Sequence, residues 1–161
     1  MLLYLADLYS TVPLAIYFSL FYTSISNLRI DEIKLCLYLT IANYMVWCIK
    51  RFPYPKKIYQ ITRRPKESTN CDYLSRNGKQ SLDAPGFPSG HMTTISFYCV
   101  YQLLTRYYAN TINTSYSLFH IMIMAIMAWA RYYKRNHNII QIVIGTIFGS
   151  MSGYIYYNYL Q

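Results

Sequence analysis

Charged residues are scarce in this sequence, and acidic residues are the scarcest of them. Of 161 residues only 13% are charged, and six Asp and Glu stand against fifteen Lys and Arg. That share is about half the value usual in soluble domains. Apolar and aromatic residues make up 54% and occur in long blocks. The composition therefore excludes an ordinary soluble domain and favours a membrane protein.

The sequence shows neither a cysteine framework nor a cleavable targeting signal. Of the four cysteines, Cys36, Cys48, Cys71 and Cys99, only Cys71 falls in a predicted loop, which excludes a readable disulfide or metal framework. The apolar segment 1–26 lacks a basic start and an obvious small-residue cleavage site. It is therefore interpreted as a retained membrane span and not as a signal peptide.

Five hydrophobic segments approach the length of about 20 residues that crosses a bilayer. They cover residues 5–26, 33–49, 92–109, 116–132 and 138–159. The predicted fold is all-α: an integral membrane helical bundle with about five transmembrane helices, in a single domain over residues 1–161. Gly145, Gly149 and Gly153 recur every four residues in the last segment. They predict a smooth helical face for packing within the monomer, or else against a second copy.

The positive charge is concentrated in loops beside these apolar segments. In a soluble protein, a net charge of +9 suggests nucleic acid as a partner. In this setting the expected partners are membrane lipid headgroups and a phosphorylated substrate, and no nucleic acid is expected.

Three polar patches interrupt the apolar sequence between residues 50 and 145. They are Lys57 followed after six residues by Arg64-Pro65, then Pro88-Ser89-Gly90-His91, then Arg131 with His137 and Gln141. The second span ends in the loop that carries the first patch, and this loop leads directly to the second. The fourth span must end on the same side, at the third patch. All three patches are therefore predicted to meet at one face of the membrane.

These residue types suit the binding and cleavage of a phosphate ester. Lys57, Arg64 and Arg131 can neutralise phosphate charge, and the two arginines can do so with bidentate hydrogen bonds. Ser89 and Gly90 are predicted to open a helix whose N–H groups bind an oxyanion. Two histidines can serve as nucleophile and as proton donor. A residue four positions after His137, which is Gln141, is placed to orient that ring.

The three patches resemble the signature of the type-2 phosphatidic acid phosphatase and haloperoxidase superfamily, K-x6-RP, PSGH and SR-x5-H-x3-D. By this resemblance His137 is the nucleophile and His91 the general acid. The resemblance also implies that phosphate is bound by Lys57, Arg64, Ser89, Gly90 and Arg131. No metal and no other cofactor is implied. The resemblance covers about residues 50–160, and the long apolar spans place the chain with the membrane phosphatases rather than the soluble haloperoxidases.

Two positions depart from that signature. Ala130 stands where the family has serine, and Gln141 stands where it has aspartate. Gln141 can still accept a hydrogen bond from His137, but it brings no negative charge. In a serine-protease triad, replacing the acid by its amide lowers turnover about 10⁴-fold. Weakened activity is therefore expected, and Gln141→Asp is expected to raise it.

The resemblance implies a membrane phosphatase of lipid metabolism that hydrolyses a lipid phosphate or diphosphate through a phosphohistidine intermediate. Phosphatidic acid and isoprenoid diphosphates are both candidate substrates. The alternative is a catalytically inactive relative that binds anionic lipids or serves as a membrane scaffold. A small channel or transporter is the third candidate, but it does not explain the motif spacing.

The orientation of the site in the membrane rests on two conflicting indications. Twelve of the fifteen Lys and Arg lie on the site side, in loops 50–79 and 131–135. The excess of basic residues in cytoplasmic loops of membrane proteins then predicts a cytosolic site. By family habit, members that act on lipids face the lumen or the outside. The charge count favours the cytosol.

Overall fold

The computed structural model of the protein describes residues 2–27, 30–65, 68 and 85–160. Within these residues the chain forms seven α-helices and one 3-10 turn. The helices are α1 (Leu2–Ser10), α2 (Val12–Asn27), α3 (Ile30–Lys50), α4 (Tyr59–Thr62), α5 (Gly90–Tyr108), α6 (Thr114–Tyr133) and α7 (Ile139–Tyr159), and the turn is Lys56–Ile58. Cys71 and the loop cations Lys66, Arg76 and Lys79 lie outside the described residues.

The predicted all-α fold is confirmed for the described residues. The first predicted span, 5–26, is divided at Thr11 into α1 and α2. The described part of the chain contains no strand, and its one β-type contact is an isolated bridge between Arg63 and Pro85. Each of the other four predicted spans corresponds to one long helix.

Local sequence explains where several of these helices begin and end. Asp31 and Glu32 lie in the first turn of α3 and Lys50 in its last turn, where each charge matches the helix dipole. Asn113 caps α6 by accepting a hydrogen bond from the Tyr116 N–H at 2.7 Å. Asn138 begins α7 in the same way, with its side chain accepting from the backbone N–H of Gln141.

The centre of the fold is the close pairing of α5 with α7. Gly145, Gly149 and Gly153 are all buried and face the backbone of α5. A Cβ atom on Gly145 would lie 2.6 Å from the Ser89 carbonyl oxygen, and one on Gly153 would lie 2.6 Å from that of Phe97. The glycine stripe therefore packs against a neighbouring helix of the same chain.

Two hydrophobic clusters and a polar junction join the other helices to this pair. One cluster is centred on Phe97 and Tyr156 and the other on Met92 and Met127. Asn43 on α3 joins three helices, because its amide group donates to the Tyr17 hydroxyl at 3.1 Å and to Thr94 Oγ1 at 3.0 Å.

The outward faces of the long helices are apolar. Two helices, α3 and α7, are long and apolar enough to cross a bilayer. Large hydrophobic side chains are exposed on several of these helices, as on a surface that contacts lipid or another protein. They include Phe21, Leu37, Phe119 and Ile147.

Candidate active site

The three sequence patches meet around the first turn of α7. The backbone N–H of Ser89 donates to the Gln141 carbonyl at 3.0 Å, which joins the second patch to the third. The Asn138 amide donates to the Gln60 carbonyl at 3.0 Å, which joins the third patch to the segment that leads to Arg64. The convergence predicted from the order of the spans is therefore present.

A tight turn after α6 places His137 beside Arg131. The backbone N–H groups of Asn136 and His137 both donate to the Arg131 carbonyl, at 3.1 and 3.4 Å. Arg135 adopts a left-handed conformation with φ of 52°, which lets the chain reverse at once. The five-residue spacing between Arg131 and His137 is the length of this turn.

Arg131 and Arg64 provide two of the cations. Arg131 is only 1% exposed, and its Nη1 donates to Ser10 Oγ at 3.4 Å. Arg64 is half-buried, and its Nη1 donates to the Asn136 carbonyl at 3.4 Å. Both guanidinium groups are therefore held next to the turn that carries His137.

The two lysines of this region are placed differently from the expectation. Lys57 lies on the 3-10 turn with an exposed side chain. Lys50, at the end of α3, is half-buried, and its Nζ lies 3.9 Å from the position that a Cβ on Gly90 would occupy. The structure therefore brings Lys50, and not Lys57, to the start of α5. No pattern in the sequence singled out Lys50.

The electrostatic environment keeps both histidines neutral. Burial, reinforced by the positive charges of Arg131, Arg64 and Lys50, lowers the pKa of His137 well below its ordinary value. His91 lies just before the predicted span 92–109. Burial and the same three cations, together with Lys134, also lower the pKa of His91. Neutral imidazole is the form that can act as a nucleophile.

Ser89 Oγ and Arg64 Nε are buried polar atoms of this cluster, and neither atom has a hydrogen-bond partner among the described residues. Ser89 is completely buried and occupies the N-cap position of α5, yet its hydroxyl does not cap the helix. Buried polar groups are nearly always hydrogen-bonded in folded proteins, so a ligand or an ordered water is expected at both atoms.

Gln141 forms hydrogen bonds through both ends of its side-chain amide. Its Oε1 lies 3.1 Å from His137 Nδ1, which is the contact expected from the spacing. Its Nε2 donates to the carbonyl oxygens of Ile61 and Arg63, at 2.7 Å each. These two bonds to the first patch were not predicted. The Asn-x-x-Gln spacing in the sequence indicates only the capping box between Asn138 and Gln141.

The first helix supplies support that the motifs do not contain. Lys134 is buried and forms an ion pair with Asp7 of α1, at 2.5 Å between Nζ and Oδ1. Ser10, from the same helix, contacts Arg131. Helix α1 therefore contributes polar partners to two basic residues that border the site.

A cavity of about 600 Å³ lies beside His137. It is lined by Pro65 and Arg135 and by the aromatic end of α6, at Trp129, Tyr132 and Tyr133. The cavity is large enough for part of an organic substrate next to the cationic cluster.

Comparison with known proteins finds a family model that matches the sequence containing these residues. The sequence model of the PAP2 superfamily matches residues 31–161, which is more than half of the chain and includes all three patches. No curated protein and no solved structure matches the chain.

Proposed function

The chain belongs to the PAP2 superfamily, and from this membership we propose that it is an integral membrane phosphatase acting on a lipid phosphate or diphosphate. The observation that carries the proposal is the pair of buried, unpartnered atoms, Ser89 Oγ and Arg64 Nε. They lie in a cluster that also holds two neutral histidines and Arg131. An oxyanion satisfies both atoms and neutralises the surrounding positive charge.

In the proposed reaction His137 attacks the phosphorus atom. The Nε2 lone pair forms the P–N bond while the bond from phosphorus to the leaving oxygen breaks, and His91 gives its proton to that oxygen. Water then attacks the phosphohistidine, with His91 accepting a proton from it. The P–N bond breaks, and inorganic phosphate and the neutral imidazole are released.

The depressed pKa values support different roles for the two rings. A neutral His137 is ready to attack. His91 must gain a proton to act as an acid, and a bound phosphate dianion opposes the cations that keep this ring neutral. Substrate binding therefore raises the pKa of His91 when a proton donor is needed.

Five membrane passes accommodate this site at one bilayer face. In the proposed topology α1 and α2 together make the first pass, and α3, α5, α6 and α7 make the others. Helices α3 and α7 are long and apolar enough to cross by themselves, and α5 and α6 have 19 and 20 residues. The aromatic cavity beside His137 lies at that face, which suits a substrate whose tail stays in the bilayer.

Phosphate release by the purified protein in detergent micelles tests the proposal. We expect release from phosphatidic acid or a polyprenyl diphosphate with EDTA present, and its loss in His137→Gln. Substitution of His91 removes the proposed general acid and should lower turnover about 10²- to 10⁴-fold. The matched control is His120→Gln, since the His120 ring bonds within its own helix, to the Tyr116 carbonyl at 2.9 Å.

Full turnover by His137→Gln contradicts the phosphoenzyme mechanism. If the native protein releases no phosphate from either lipid but binds vesicles of anionic lipid, the chain is a binding protein instead of an enzyme.

A further inference from the structure

Donors and acceptors around Gln141 leave only one orientation for its amide group. The carbonyl oxygens of Ile61 and Arg63 can only accept hydrogen bonds, and both lie 2.7 Å from the same side-chain atom. That atom must therefore be the NH₂ group. The amide oxygen is then directed to His137 and also accepts from the backbone N–H of Asn138, at 3.3 Å.

This orientation in turn determines the protonation of His137. An amide oxygen can only accept a hydrogen bond. The His137 Nδ1 atom, which lies 3.1 Å from that oxygen, must therefore carry the hydrogen. A neutral ring with hydrogen on Nδ1 has its lone pair on Nε2. In a serine-protease triad the corresponding amide fails because the ring takes the wrong tautomer. Here the two backbone carbonyls prevent that outcome.

Gln141 also connects all three sequence patches. Its side chain bonds to the backbone just before Arg64 and to His137, and its carbonyl accepts from the Ser89 N–H at 3.0 Å. The residue is 0% exposed. Gly86 packs directly on it, since a Cβ there would lie 2.7 Å from Oε1 and 2.9 Å from Nε2. The space around position 141 is therefore shaped for a glutamine side chain.

We propose that Gln141 is the positioning residue of this site, that it fixes His137 as the Nδ1–H tautomer, and that this chain requires an amide at position 141. The inference rests on the proposed function and deepens it. Aspartate is too short to reach both backbone carbonyls, so Gln141→Asp is expected to lower activity and not to raise it as the family signature implied. Glutamate has the right length but directs carboxylate oxygens at two carbonyl oxygens.

The first measurement concerns the tautomer and needs no substrate. The chain has three histidines, so nitrogen-15 NMR of histidine-labelled protein resolves each ring. Comparison with His137→Gln and His120→Gln assigns the signals. We expect native His137 to carry hydrogen on Nδ1 only, at a pH where the ring is neutral. Hydrogen on Nε2 instead overturns the proposal.

The second measurement is turnover of Gln141→Asp and Gln141→Glu with the substrates named above. Without the two bonds to the Ile61 and Arg63 carbonyls, the side chain at position 141 no longer holds the His137 ring in place, and kcat/KM should fall about ten- to hundredfold in each variant. The matched control is Gln60→Glu, which adds the same charge on an exposed side chain of the same segment. Turnover of Gln141→Asp at or above the native value overturns the proposal.

The pH profile separates positioning from a merely structural role. Burial and the two carbonyl oxygens raise the pKa of the introduced glutamate, and the positive charges of Arg64, Arg131 and Lys50 oppose that shift. In either case only the protonated glutamate can donate to one of the carbonyls. The turnover of Gln141→Glu relative to native should therefore rise as pH falls. A pH-independent ratio overturns the proposal. A native protein with the expected tautomer but no phosphate release leaves this inference standing and removes the proposed function.

Discussion

At the scale of single residues, the placement of the lysines is the main departure from what the motif spacing implied. A spacing of six residues before Arg64 selects Lys57, but the 3-10 turn at Lys56–Ile58 leaves that side chain exposed. Lys50 instead contacts the region of Gly90 and adds to the positive charge around both histidines. Motif spacing does not predict the position of Lys50, because this residue lies at the end of α3 and outside the motif.

We therefore predict that Lys50 and not Lys57 is the lysine that binds phosphate. Orthovanadate is a suitable probe, and its dissociation constant can be measured by isothermal titration. Lys50→Gln should weaken binding about tenfold, the size of one charge-assisted hydrogen bond. Lys56→Gln, on the exposed turn, is the neutral control. The prediction is wrong if Lys57→Gln weakens binding and Lys50→Gln does not.

At the scale of helices, the α5–α7 contact connects stability with the site. The glycine stripe was readable from its four-residue spacing, but its partner helix was not. Gly145 lies against the Ser89 backbone, whereas Gly153 lies two turns away against Phe97. The same small-residue contact therefore lies next to Ser89 and the candidate site at one end and remote from them at the other.

Alanine substitutions at the two ends should have different consequences. Overpacking of a tight contact costs about 1–3 kcal/mol, so Gly145→Ala and Gly153→Ala should both lower the thermal midpoint in detergent. Only Gly145→Ala should also weaken vanadate binding, because it displaces Ser89. Met151→Ala, on the exposed side of α7, controls for the substitution itself. Equal vanadate affinity in the two glycine variants contradicts this coupling.

At the scale of the whole molecule, the bundle places loops on two opposite sides. With five passes, the segment that contains Lys56 lies on the site side, and the turn at Asn110 lies on the other. Both side chains are exposed. The charge count predicts that the site side faces the cytosol. Asn113-Thr114-Ser115 has the sequence of an N-glycosylation site in the loop opposite the candidate site. Glycosylation there is a poor reporter of orientation, because the Asn113 side chain caps α6.

Cysteine labelling in sealed cells tests this orientation. In a variant with its native cysteines replaced by serine, Asn110→Cys should react with a membrane-impermeant maleimide from outside. Lys56→Cys should react only after the membrane is opened. The reverse result places the site outside the cytosol, and labelling of both residues from one side contradicts a single pass through α5.

Most of the fold, but less of the site, could be predicted from the sequence. Apolar segments long enough to cross a bilayer predicted the long helices, because burial and hydrogen bonding leave few other solutions in lipid. The motif order predicted that the three patches meet. The break at Thr11 and the bonds from Gln141 to Ile61 and Arg63 depend on tertiary contacts, which no local pattern records.

The segment that matches the family model does not include every helix that contacts the candidate site. The family match begins at residue 31, yet Ser10 contacts Arg131 and Asp7 neutralises Lys134. A shortened chain containing every signature residue would lose one partner of each of these two basic residues, which border the site. Substitutions at Asp7 or Ser10 are therefore expected to disturb the basic residues at the end of α6, although both positions precede the matched segment.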